Sequence, residues 1–150
     1  MKKIKDVMTD RPIVINSNAT VLEALKLMSS AGEIRHLPVM DGQQLVGIVT
    51  SRDLKSYVGH WSSMSIDGLL KKERLDRPIS RLMTRNVTTV SPEDSVVKAT
   101  KLFGSKKIGA LPVIEDGKLV GIISYVDLLN RFIVPSILET QEKNPETKEG

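Results

Sequence analysis

A chain of 150 residues, 40% apolar and 27% charged, has the make-up of a soluble globular protein with room for one compact domain or two small units sharing a core. It has no cysteine, which excludes disulfides, thiolate metal sites and a cysteine nucleophile and fits a reducing cytoplasm; one Trp, two Tyr and two Phe offer little surface for stacking bases. A net charge of +4 suits a phosphorylated small molecule, and scattered basic residues make it a weak nucleic-acid signal.

The opening MKKIKDVMTD has lysines but no apolar run behind them, so no secretory signal is expected. Nor does the run of ~18 apolar residues that a membrane span needs occur anywhere. The first element is a short extended segment, PIVI (12–15). Thr20 and Glu23 then form a T-x-x-E capping box, and Val21, Leu25 and Met28 recur at helical spacing behind it. Strands HLPVM (36–40) and LVGIV (45–49) follow, joined by the Asp-Gly hairpin signal DGQQ, and a second helix opens at Ser51. Gly59, Gly68 and Pro78 interrupt the next stretch, in which IDGLLKKERL can hold a helical turn or two and Trp61 reads as a packing anchor. The pattern then returns: VTTV (87–90), a helix with Val96, Leu102 and Phe103 on its inner face, ALPVI (110–114), the turn EDGK, LVGII (119–123) and a helix from Tyr125. The chain closes on polar residues without a periodic apolar face, expected to be disordered.

Residues 7–31 align on 82–106 and residues 34–54 on 108–128, with 17 of 46 positions identical. That is the mark of a duplicated supersecondary unit. Two copies are too few for a solenoid, so a face-to-face pair about a pseudo-two-fold axis is expected. The fold class is α+β, two β-α-β-β-α repeats at 4–58 and 80–134, with a connector at 59–79 and a tail at 135–150.

Each copy ends its last strand on [ST]-x-x-D: Thr50 with Asp53, and Ser124 with Asp127. The helix starting there has unpaired N–H groups that favour a phosphate, and a carboxylate three residues on can accept both hydrogen bonds of a ribose cis-diol. Equally, Ser or Thr can simply cap the helix while Asp complements its dipole.

The motifs hxLPV, hVGhh and [ST]xxD, in both copies and across residues 4 to 133, resemble those of a tandem CBS-domain pair (a Bateman module), of which stand-alone examples occur in bacteria and archaea. The resemblance implies an intramolecular pair with two clefts that take an adenine nucleotide (AMP, ADP or ATP) or another adenosyl ligand such as S-adenosylmethionine or NAD. It also implies a homodimeric disc and a regulated partner protein whose engagement depends on occupancy. By the same resemblance Asp holds the ribose, and Thr9 and Thr84 stand where adenine is contacted, turn chemistry being their alternative role. Arg35 and His36 interrupt the symmetry, because Gly109 and Ala110 replace them in copy two. Related pairs use cations at this strand to reach the phosphate of the other copy's site. The stronger cleft is therefore expected to gather Thr84, Gly109, Ala110, Leu111, Ser124, Asp127, Arg35 and His36. The second gathers Thr9, Thr50, Arg52, Asp53 and Lys107.

Neither a P-loop nor G-x-G-x-x-G occurs, no nucleophile elbow is present, and the two histidines are far apart. No catalytic residue, metal or required cofactor is assigned. The reading is a non-enzymatic, cytoplasmic adenine-nucleotide sensor; the alternatives are a ligand-free dimeric scaffold and a nucleic-acid binder.

Overall fold

The computed structural model describes residues 2–30, 32, 34–59 and 72–143. Trp61 and most of the connector lie outside them. The chain divides into two compact units, one of Ile13–Val87 with Gly117–Leu119, the other of Met1–Pro12, Thr88–Asp116 and Val120–Gly150. We call them the repeat-1 and repeat-2 units. Strand β1 (Thr9–Asp10) precedes the first repeat and belongs to the repeat-2 unit.

In the repeat-1 unit, β2 (Ile15–Asn16) leads into α1 (Val21–Ser30), and β3 (His36–Asp41) and β4 (Gln44–Thr50) form a hairpin before α2 (Ser51–Val58). The capping box is realised as read: Glu23 N–H donates to Thr20 Oγ1 at 3.1 Å and Thr20 N–H donates to Glu23 Oε2 at 2.9 Å. The sheet order is β2-β3-β4, with β2 parallel to β3 and β4 antiparallel to it. Gly42 supplies the positive φ of 60° that the Asp-Gly turn needs. Val21, Ala24 and Met28 of α1 close over Leu37, Val39, Val49 and Leu54, and Ile79 and Met83 from beyond the connector complete this core.

The repeat-2 unit contains α3 (Val96–Lys106), β5 (Ala110–Glu115), α4 (Tyr125–Leu128) and, from Val120 on, β6 (Lys118–Ser124). Its sheet order is β1-β6-β5, and β1 runs antiparallel to β6 with Thr9 opposite Ile122. Ile4 and Val7 pack with Val96, Leu111, Val113, Ile123 and Leu128. Outside this core Glu93 takes ion pairs from Lys3 and Lys5, which fasten the leading segment to the unit.

Each unit is thus completed by the segment that precedes the other repeat. Ile4–Asp6 and Ile79–Arg81 are matching 3-10 turns whose leading isoleucines are fully buried. Thr9 lies beside β6, and Thr84 exchanges two backbone hydrogen bonds with Ile48 of β4, at 2.9 and 3.0 Å. The glycine of each hVGhh strand makes room for this. A Cβ on Gly47 would meet Met83, and one on Gly121 would meet Met8 Sδ at 2.6 Å and the Thr9 carbonyl oxygen at 2.9 Å.

The expected disordered tail requires correction over residues 135–143. A π-helical turn at Leu129–Ile133 runs into α5 (Val134–Lys143). Pro135 lacks the N–H of a regular helix, and the widened turn just before it relieves the clash of its ring with the preceding turn. Beyond it Thr140 Oγ1 donates to the Ser136 carbonyl at 2.9 Å and Lys143 pairs with Glu139 at 3.1 Å. No helix among the described residues is long and apolar enough to cross a membrane.

Candidate functional site

Both [ST]xxD motifs sit where a strand ends and a helix begins. Ser124 Oγ accepts from the Asp127 N–H at 3.0 Å, and Thr50 Oγ1 accepts from the Asp53 N–H at 3.1 Å. The hydroxyls therefore cap their helices, and the same bond holds each aspartate at a fixed distance from the strand end. One residue further on, the first helical N–H is already used: Ser51 N–H donates to the Arg35 carbonyl and Tyr125 N–H to the Gly109 carbonyl, both at 2.9 Å. This ties the start of the LPV strand to the start of the helix in each unit.

The threonines are grouped differently from the sequence expectation. The sequence expectation groups Thr84 with Asp127 and Thr9 with Asp53. Instead Thr9 Oγ1 donates to Asp127 Oδ2 at 3.5 Å, and Thr84 lies against β4, the strand that ends on Thr50. The cause is the exchange of leading segments, which carries VMT to the second repeat and LMT to the first. Thr9, Ser124 and Asp127 are half-buried, whereas Thr84 and Asp53 are exposed. Arg131 adds a contact that nothing in the sequence advertised: its Nη1 donates to the Val7 carbonyl at 3.2 Å and the Met8 carbonyl at 3.4 Å, fixing the backbone that presents Thr9.

The remaining candidates fall into three groups. Leu111 is fully buried in the repeat-2 core and Ala110 is buried beside it, so neither side chain is open to solvent, while Gly109 is exposed. Lys107 is exposed, with a left-handed φ of 52° that ends α3. His36 stands opposite Thr50 across the β3–β4 pair. Burial lowers its pKa from the ordinary value, Arg35 lowers it further, and Asp53 opposes them. Arg35 and Arg52, expected in different sites, line one cavity of the repeat-1 unit together with Lys55. Among the described residues no group of three or more His, Asp or Glu could hold a metal ion.

A duplicated α+β unit, each copy completed by the other's leading segment and ending on a capped strand–helix turn with a carboxylate, defines a tandem-repeat module. The chain belongs to the CBS-domain family, whose model matches residues 4–60 and 79–133. It is 34% identical over 133 residues to a CBS domain-containing protein of Dictyostelium discoideum, covering 87% of this chain and 90% of that one. It is 32% identical over 131 residues to a 33.4 kDa protein encoded in a ribosomal RNA operon of Thermofilum pendens, 87% of this chain but only 43% of that relative's length. Among solved structures, a protein assigned to acetoin utilisation (AcuB) from Vibrio cholerae matches with TM-score 0.75 and 32% identity, covering 96% of this chain and 98% of that one. The CBS-domain pair of protein MJ0100, in complex with 5′-methylthioadenosine and S-adenosyl-L-methionine, matches with TM-score 0.73 and 28% identity over 90% and 98% of the two chains. CBSX2 in complex with AMP matches with TM-score 0.73 and 26% identity over 91% and 99%.

Proposed function

We propose that this chain is a non-enzymatic regulatory module that binds an adenine nucleotide (AMP, ADP or ATP), and that the Thr9–Ser124–Asp127 site is the stronger of its two sites. The observation that carries the reading is the Thr9–Asp127 hydrogen bond beside the Ser124 cap. It gathers a hydroxyl donor and a carboxylate in a half-buried place, as recognition of a ribose requires. The bond is long enough for a ligand hydroxyl to compete for Asp127 without first breaking a strong contact. Thr84, Thr50 and Asp53 form the weaker counterpart, more open to water. Structures of similar pairs in complex with AMP, or with S-adenosyl-L-methionine and 5′-methylthioadenosine, support the adenosyl class. Occupancy regulates a partner through the ligand's differential affinity for two arrangements of the module.

Isothermal titration of AMP, ATP and S-adenosyl-L-methionine into wild type, Asp127→Ala and Asp53→Ala tests this. Asp127→Ala is expected to weaken the tightest binding event at least tenfold, with Asp53→Ala altering only a weaker one. Loss of that event in Asp53→Ala alone reverses the ranking, and no binding of any adenosyl ligand to wild type removes the reading.

A further inference from the structure

In the repeat-2 unit, two side chains of one helical run hold three consecutive residues of the leading segment. Asp127 of α4 accepts from Thr9 Oγ1 at 3.5 Å. Arg131, on the π-helical turn that continues α4, donates through Nη1 to the Val7 carbonyl at 3.2 Å and the Met8 carbonyl at 3.4 Å. A guanidinium on a carbonyl is a charge-assisted bond, and two of them restrain the backbone on which Thr9 sits. The same turn decides where α5 starts. Phe132 and Ile133 of the turn pack against the repeat-2 core, whereas α5 buries none of its residues, and its Val134, Ile137 and Leu138 are 40%, 52% and 56% exposed. The direction of α5 is therefore set by the turn at Leu129–Ile133, a widened geometry that recurs at functional sites.

The first copy shows that the fold does not require this arrangement. Four residues after its motif aspartate stands Tyr57, inside a regular α2 that ends before Gly59. There the backbone carbonyl of Tyr57 accepts, from Arg74 Nη1 at 3.3 Å. Among the described residues the clasp, the π-helical turn and a following helix thus occur together, beside the site whose Thr9 and Asp127 are half-buried.

We propose, resting on the reading of Thr9–Ser124–Asp127 as an adenosyl site, that Arg131 is a positioning residue for that site and that its clasp couples occupancy to the order of α5. A ribose hydroxyl held between Thr9 and Asp127 stills the leading segment. The Val7 and Met8 carbonyls then stay where Arg131 reaches them, and the turn from which α5 starts is held with them. Linkage makes the coupling reciprocal, so loosening the clasp weakens the ligand by the same factor.

Amide exchange and calorimetric titration of the full chain test this in wild type, Arg131→Ala, Arg131→Lys and Lys143→Ala, with AMP as the ligand and S-adenosyl-L-methionine as the second probe. Alanine is at least as good a helix former as arginine, so faster exchange in α5 of Arg131→Ala reports the lost clasp and not helix propensity. Without ligand, Arg131→Ala is expected to speed exchange at residues 9 and 10 and along α5, and Arg131→Lys to restore most of the protection. Ligand is expected to slow α5 exchange in wild type but not in Arg131→Ala, which binds about tenfold more weakly. Lys143→Ala, which removes only the pair with Glu139 near the far end of α5, stays within about twofold of wild-type affinity. Circular dichroism melting checks folding; if Arg131→Ala is not folded, Arg131→Gln, which keeps most of the stem and loses the charge, takes its place. The proposal is overturned if the ligand-free variant exchanges residues 9 and 10 like wild type, if ligand protects α5 equally in both, or if Lys143→Ala loses as much affinity. If wild type binds neither probe while the ligand-free exchange changes as expected, the adenosyl reading fails and takes the coupling with it, and the hold of Arg131 on the leading segment is upheld.

Discussion

Gly121→Ala is the sharpest test of the exchanged leading segments. The new methyl group meets Met8 Sδ at 2.6 Å, Met8 Cγ at 3.3 Å and the Thr9 carbonyl oxygen at 2.9 Å. A methionine side chain can swing aside; a backbone carbonyl in a strand pair can move only if β1 moves with it. Overpacking of this kind costs about 1–3 kcal/mol, and the lower entropy of the unfolded alanine chain returns about 0.4–1 kcal/mol. A net loss of about 1–2 kcal/mol in a chain of this size lowers the melting temperature by about 2–8 °C. The three atoms nearest a Gly47→Ala methyl all belong to the Met83 side chain, at 2.5, 2.7 and 3.0 Å, with no backbone oxygen among them, so its expected loss is smaller. Adding Met8→Ala to Gly121→Ala is not expected to restore stability, because the Thr9 oxygen remains. Thermal melts by circular dichroism rank the variants, and amide exchange at Thr9 and Asp10 reports whether β1 has loosened. A Gly121→Ala melt within about 1 °C of wild type, or a larger loss from Gly47→Ala, would refute the close-approach argument.

Replacing the cap hydroxyl in Thr50→Ala should cost about 1 kcal/mol, seen as a lower urea midpoint with unchanged m-value. Lys3 and Lys5 hold the Glu93 carboxyl down to about 2 from its ordinary 4.5, so its contribution to stability is present above pH 4.5 and disappears as pH falls toward 2. Because the pair is exposed, the difference in melting temperature between Glu93→Gln and wild type should be small, shrink in high salt and vanish at the acid end. Burial and Arg35 depress the pKa of His36, so the fold favours the neutral ring. That contribution is complete above pH 6.5 and is lost as pH falls from there through the depressed value; an imidazole NMR titration midpoint at or above 6.5 would mean that Asp53 outweighs burial.

Much of this fold was legible because local chemistry repeats. The Thr20–Glu23 box, the Asp-Gly turns and the LPV and VG strands each follow from short-range pattern, and the turns and strands recur in the second copy. The partner of Thr9 was not legible. A strand of two residues carries almost no periodic signal, and which edge it joins is decided by long-range packing of Ile4 and Val7. The conspicuous glycines of hVGhh held the clue, since a strand glycine often marks another backbone's close approach. Helix α5 was missed because its polar residues carry no periodic apolar face, and the turn that accommodates Pro135 lies upstream in Leu129–Ile133. Arg131 is a single long side chain on that turn, invisible until the carbonyls it clasps are placed.

The reciprocal loan of leading segments has a consequence for how such a chain could arise. A polypeptide carrying one copy would have an open sheet edge and a spare segment, and it could fill the edge by domain swapping with a second molecule, at a stability that falls on dilution. Fusing two copies in one chain makes that swap intramolecular, with the connector setting the effective concentration in place of the cell. Residues 13–87 then form a nearly continuous stretch holding one finished unit, while the other draws on both ends of the chain. A circular permutant opened near residue 87, with its old termini joined, would bring the two end segments of the repeat-2 unit, 88–150 and 1–12, into one stretch broken only at Gly117–Leu119.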